Sequence, residues 1–132
     1  MSNDLTNLAF KQFTDEIYQF LHHFGFKKNG LNFYREQNYF RQIITIRKLN
    51  TTNHSITFTI YFGTDYCNDK RATFCQLTDF RHQEQISNNG QELIYEFNND
   101  DLKKHTKNNS YFLNLKQQVL NDMQSLILPL FN

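Results

Sequence analysis

A chain of 132 residues with 39% hydrophobic content fits one domain with a core of its own, without staples. The formal net charge of +1 excludes a globally basic nucleic-acid binder of the simplest kind. The 14 Phe and 7 Tyr supply large apolar areas, so a mean hydropathy of −0.69, set largely by Asn and Gln, does not argue for disorder.

Ser2, Asn3 and Asp4 are good helix caps, and Leu5, Leu8, Ala9, Phe13, Ile17, Phe20, Leu21 and Phe24 then recur at three- and four-residue spacing. The pattern predicts a helix over about residues 4–24, stopped by Gly25. Lys11, Gln12, Asp15, Glu16, Gln19 and His23 fall on its wet side. Asn29-Gly30 signals a tight turn, so Phe26–Lys28 and Leu31–Glu36 are expected to pair as a hairpin. Gln37-Asn38 reads as the next turn. Tyr39–Leu49 and Ser55–Gly63 then read as two long strands joined through Asn50–His54. On the second, Ile56, Phe58, Ile60 and Phe62 share the face that belongs to the core.

Thr64–Thr73 reads as an irregular connection, and Phe74–Ile86 holds a further strand. Ser87–Gly90 is a turn and Glu92–Phe97 a short strand, with Leu93, Tyr95 and Phe97 in alternation. Asn98–Ser110 is polar, with room for a short helical turn behind Asn99 or Asp100. Ser110 caps a final helix carrying Phe112, Leu115, Val119, Leu120, Met123, Leu126, Ile127 and Leu130, closed by Pro129. The expected object is a single α+β domain over residues 1–132. It is an antiparallel sheet of about five to six strands, with an N-terminal and a C-terminal helix packed on one face.

Four segments form an ordered run at the head of this layout: Gly25-Phe26-Lys27, Gly30, Phe33-Tyr34-Arg35-Glu36, and the apolar strand Gln42–Ile46. Over about residues 10–65 the chain resembles a bacterial family known only as domain of unknown function 4304. A strand like Phe58–Phe62 follows at a comparable distance in that family. This chain departs from it in having no Trp, and Gln91–Phe97 stands where a tryptophan-bearing stretch is expected. The resemblance implies an antiparallel sheet covered by helices and no established chemistry. Many small bacterial domains of this kind look similar to immunity proteins, which are encoded beside secreted toxins and neutralise them. That is an analogy between classes, because fold does not fix function.

Charge is unevenly spread. Lys27–Arg81 holds nine Lys/Arg against four Asp/Glu, whereas His82–Leu102 holds five acids, Glu84, Glu92, Glu96, Asp100 and Asp101, and no Lys or Arg. Ordinary solvated surfaces produce such runs too. Residues 1–24 lack a basic start and an uninterrupted apolar run, so no signal peptide is expected. No run approaches the roughly 18 apolar residues of a membrane span, so no membrane partner is expected either. The chain therefore reads as cytoplasmic, with Cys67 and Cys75 reduced.

Catalytic and metal chemistry find little support. Cys67, Cys75, His82 and His54 lack the paired spacing of structural zinc sites. His22 and His23 are adjacent on a helix, about 100° apart, and cannot easily share a metal. Lys70 and Arg71 could depress the Cys67 pKa, yet nothing identifies a base or an oxyanion hole. Asp100-Asp101 is explained by the positive end of a helix dipole. With only four glycines there is no phosphate loop. No metal, cofactor or catalytic residue is expected, and an uncharacterised enzyme is the third-ranked reading.

The sheet face opposite the core is the more promising surface. With Leu31, Phe33, Ile44, Ile46, Ile56, Phe58, Ile60 and Phe62 inward, parity puts Asn32, Tyr34, Glu36, Tyr39, Arg41, Thr45, Arg47, Thr57, Thr59 and Tyr61 outward, with Ile43 among them. Tyr and Arg carry much of the binding energy at protein interfaces, and they also stack on single-stranded nucleic acid. Thr and Tyr are also simply good strand formers on a solvated face. The leading expectation is a non-enzymatic immunity-type protein that occludes a cognate toxin domain. Its contacts are Tyr34, Tyr39, Arg41, Arg47 and Tyr61 together with the acidic band. The rival is a single-stranded nucleic-acid binder using the same aromatic and Arg residues, disfavoured by the near-neutral charge.

Overall fold

A computed structural model describes residues 2–37, 40–66, 83–98 and 110–131. Helix α1 spans Ser2–His22 and turns Phe10, Phe13, Ile17 and Leu21 into the core. Its end follows from Gly25, whose φ of +89° is open to glycine at little cost. The Phe26 N–H bonds back to the Leu21 carbonyl at 3.3 Å and the Gly25 N–H to that of His22 at 3.0 Å. These two bonds are those of a Schellman closure, and buried Leu21 and Phe26 supply its apolar pair. Leu8, expected in the apolar stripe, is instead 65% exposed. Five residues before Phe13, it lies about 140° around the helix from it. Phe24 falls beyond the helix and remains partly exposed, its ring centroid 5.2 Å from that of Phe20. Asp15 pairs with Lys28, and Glu16 with Lys116 at 3.1 Å, so part of the wet side is tied down.

The sheet follows as β1 (Lys27–Asn29), β2 (Asn32–Gln37), β3 (Phe40–Thr51) and β4 (Ser55–Tyr66), each antiparallel to the last. Asn29 pairs with Asn32, so the first turn is Gly30-Leu31, one residue later than the expected Asn29-Gly30. Gly30, at φ +63°, is the residue that can occupy the left-handed first position. Between Lys48 and Asn50 a bulge leaves Leu49 outside the ladder and 48% exposed. Thr64–Tyr66, expected as irregular, continue β4 against Phe40–Gln42.

Beyond β4 the chain adds β5 (Gln83–Gln85), β6 (Ser87–Asn88), β7 (Gln91–Glu92) and β8 (Tyr95–Asn98). Both β5 and β8 pair with β4, end to end along it, completing a six-stranded antiparallel sheet. The expected strand Glu92–Phe97 is thus two strands in two different sheets, and Ser87-Asn88 is strand rather than turn. The turn is Asn89-Gly90, with φ of 55° and 79°, which is the type I′ geometry of a two-residue hairpin. Most of the strand expected over Phe74–Ile86 lies outside the described residues, as does nearly all of Asn98–Ser110.

Helix α2 (Ser110–Asp122) passes into a π turn over Met123–Ile127, closed by the Leu128 N–H on the Met123 carbonyl, and then a 3-10 turn over Leu128–Phe131. The wider turn rotates the last residues relative to α-helical spacing. Leu128 and Phe131 therefore enter the core, and Leu130, expected there, is 65% exposed.

One aromatic cluster joins these layers. The Phe58 ring on β4 lies 5.4 Å from that of Phe10 and 5.3 Å from that of Tyr95. Phe13 stands 5.2 Å from Phe97 and 5.5 Å from Phe112. Both helices thus pack on the same face of the sheet, which makes this an α+β fold. Phe58, fully buried among Phe10, Phe13 and Tyr95, gives the direct test. Truncating it, Phe58→Ala, should cost about 3–5 kcal/mol in urea unfolding. A loss below about 1 kcal/mol would mean that the strand parity is inverted.

Candidate functional site

Parity fixes the outer face of the sheet. Asn32, Tyr34 and Glu36 on β2 oppose Thr45, Ile43 and Arg41 on β3, and Thr45, Ile43 and Arg47 in turn oppose Tyr61, Gly63 and Thr59 on β4. The face divides into two halves. Toward one end Arg41 and Ile43, expected to point into solvent, are buried, Arg41 to 5% exposure, and Thr59, across from Arg47 at the other end, is buried as well. Ile43 lies between Tyr34 and Gly63, where the absent side chain leaves room for close packing. The Arg41 guanidinium lies 5.4 Å over the Tyr34 ring and pairs with Glu36. Tyr34 and Arg41 therefore spend their chemistry on the fold itself.

At the other end Arg47 is exposed, its guanidinium 4.8 Å over the ring of half-buried Tyr61. Thr45, Thr57 and Asn32 border it, with Thr45 donating to Asn32 Oδ1 at 2.8 Å. A side-chain chain holds Tyr61 in place. Its hydroxyl donates to Gln85 Oε1 at 3.4 Å, Gln85 Nε2 donates to Thr59 Oγ1 at 3.1 Å, and Thr59 donates to the Leu93 carbonyl at 2.7 Å. Arg47 and Tyr61 thus form a pre-set cation–π pair on a rigid strand pair. Such an arrangement can make contacts.

Among the described residues, the acids of the band do not share one surface. Glu84 pairs across from Phe62, on the core side of the sheet edge, whereas Glu96 pairs across from Thr57, on the outer face. Glu92 stands apart on the β6–β7 hairpin. All three are exposed. Tyr39, Asp100 and Asp101 lie outside the described residues, as do Cys67, Cys75 and His82. His54, the fourth zinc candidate, is exposed in the β3–β4 turn, His22 is exposed at the end of α1 and His23 in the turn after it. Tyr18 approaches the His22 ring, hydroxyl to Nδ1, at 3.5 Å.

Sequence reasoning missed two buried polar pairs. Arg35 Nε donates to Gln42 Oε1 at 2.6 Å, and Gln42 Nε2 donates to the Phe131 carbonyl at 2.7 Å. Arg35 also caps the Phe24 carbonyl at 2.7 Å and lies 4.9 Å over the Phe26 ring. Burial pulls the Arg35 pKa down. The signal was present in the sequence. Arg35 follows Phe33 by two and Gln42 precedes Ile44 by two, so both sit at inward parity, where a polar side chain needs a partner. The second pair is Tyr95, whose hydroxyl donates to Asp122 Oδ2 at 2.8 Å. Nearby, Ile94, Tyr95, Glu96, Tyr111, Leu115 and Gln118 line an open groove of about 260 Å³.

Compared with known protein families, curated proteins and solved structures, the chain matches none. Among the described residues, no helix is long and apolar enough to cross a membrane.

Burial first, and then the Asp122 hydrogen bond and charge, raise the Tyr95 pKa far above its ordinary value. Unfolded, the phenol loses its proton near pH 10, where the folded chain still holds it. Stability should therefore fall as pH rises above about 10, with this group contributing up to about 1.4 kcal/mol per pH unit. In Tyr95→Phe that component should vanish. Unfolding curves measured from pH 8 to 11 that stay parallel for the two proteins would exclude the effect.

Proposed function

We propose that this chain is a small non-enzymatic protein-binding module that neutralises a cognate bacterial toxin by direct binding in the cytoplasm. One observation carries the proposal: the exposed Arg47–Tyr61 pair, held rigid on a sheet whose other face is committed to the core. Arg and Tyr on a preformed surface bind with little entropy to lose. Occlusion needs only a complementary surface. The acids Glu92 and Glu96 would speed encounter with a basic toxin surface.

The single-strand-binding rival is weaker on the same geometry. The rings of Tyr34 and Tyr61 already carry a guanidinium over one face, and Arg41 is paired with Glu36. Bases stack on open rings, and phosphates need unpaired cations.

Two measurements test the proposal. Mixed single-stranded oligonucleotides at moderate salt should not bind. Affinity in the micromolar range or tighter, lost in Arg47→Ala and Tyr61→Ala, would transfer the face to nucleic acid. In a growth selection, genomic fragments of the source organism are expressed with and without this chain. At least one toxic fragment should be relieved by the wild type and not by an Arg47→Ala/Tyr61→Ala double variant. If no toxic fragment is relieved, the proposal fails.

A further inference from the structure

The last part of the sheet contains a surplus. Tyr61 pairs with Gln85 and Phe58 with Tyr95, so three steps along β4 face ten along the neighbouring chain. Seven residues are ejected from what is otherwise one continuous edge strand. They leave as the β6–β7 hairpin, which forms a two-stranded sheet of its own. Its base is fixed by Ile86 N–H on the Ile60 carbonyl at 2.8 Å, Leu93 N–H on the Ile86 carbonyl at 2.9 Å, and Thr59 on the Leu93 carbonyl. Every residue from Ser87 to Glu92 is exposed, and Ile94 at its foot is 57% exposed.

In a bulge of this size, with an anchored base and an I′ tip, Leu93 packs against the core while Ser87–Glu92 stay exposed. The geometry points to a recognition finger: the Ser87–Glu92 hairpin inserts into a concave, cationic surface of a protein partner, with Ile94 as the apolar contact at its foot. This rests on the reading of the chain as a protein-binding module. The chemistry of the occupant follows from charge. Glu92 is the charged residue of Ser87–Glu92 and stands beside the amides of Asn88, Asn89 and Gln91; Glu84 and Glu96 flank the finger on opposite faces of the sheet, and Gln83–Asn98 carries no Lys or Arg. Such a finger repels phosphate and complements Lys and Arg in a cleft. It is also continuous with the sheet site, because Thr59 bonds both Gln85, which holds Tyr61, and Leu93, which holds the finger.

The register supplies the decisive variant. Deleting Asn88–Ile94 removes the seven surplus residues and places Ser87 opposite Thr59, so every flanking pair keeps its partner and its face. The probe is the purified toxic fragment that the wild-type chain relieves in the growth selection. The deletion should fold and lose affinity by about 100-fold or more, as expected when a central contact goes. Glu92→Lys should slow association about tenfold at low salt, with the difference shrinking as salt rises. If the deletion fails to fold, the triple variant Asn88→Ala, Gln91→Ala, Glu92→Lys keeps the backbone and carries the same expectation. Finger variants that bind within threefold of wild type, while Arg47→Ala/Tyr61→Ala does not bind, would remove the finger and leave the binding module intact. If no fragment is relieved at all, both readings fall.

Discussion

The arrangement depends on the contact of Phe58 with the rings of Phe10, Phe13 and Tyr95. That cluster commits one face of a period-two sheet to the helices. Every residue one step away on β4 is then forced outward. Thr57, Thr59 and Tyr61 owe their positions to this constraint, and through the β3 register so do Thr45 and Arg47. A single-residue slip would place Arg47 under α1 and Ile46 in water. The large apolar area of the phenylalanines makes that slip prohibitive.

A second constraint holds the ends of the chain. The helix-to-sheet turn at Gly25 is closed by its own backbone and then capped from β2 by Arg35, which is in turn aligned by Gln42. Gln42 reaches on to the Phe131 carbonyl, so the end of α1, the sheet and the last turn of the chain meet in one polar cluster beneath Phe26. The stretch GFKKNGLNFYRE therefore has a structural explanation for Gly25, Phe26, Gly30, Phe33 and Arg35. It marks how the fold begins rather than what the surface binds. The contact chemistry we propose lies elsewhere, at Arg47, Tyr61 and the β6–β7 hairpin.

Much of this was legible in the sequence. The inward alternation of Ile56, Phe58, Ile60 and Phe62, the stop at Gly25 and the apolar stripe of α2 through Met123 all appear where periodicity put them. What escaped has particular causes. Leu8 sits at helical spacing from Leu5 yet turns away from Phe10 and Phe13, because spacing between neighbours does not fix the direction of the core. Leu130 was displaced by a π turn that no local residue announces, although Pro129 forbids an ordinary continuation. Leu93, Tyr95 and Phe97 alternate as expected, yet Glu92 before them belongs to the small sheet and Tyr95 and Phe97 to the large one. Alternation reports which way side chains point and is silent on which strand is the neighbour. The burial of Arg41 and Ile43 divides the candidate face, and Thr59 is buried beside Arg47, which parity alone does not reveal.

The central claim is that a partner meets the Arg47 end of the outer sheet face together with the hairpin beside it. Amide hydrogen exchange compared between the free chain and its complex with the neutralised toxin fragment tests this directly. Protection should rise at Arg47 and Lys48, around Tyr61, and through Ser87–Ile94, while the amides facing Leu8, Lys11 and Gln12 on α1 stay unchanged. Protection gained on that side of α1, with none on the hairpin or at Arg47, would contradict it.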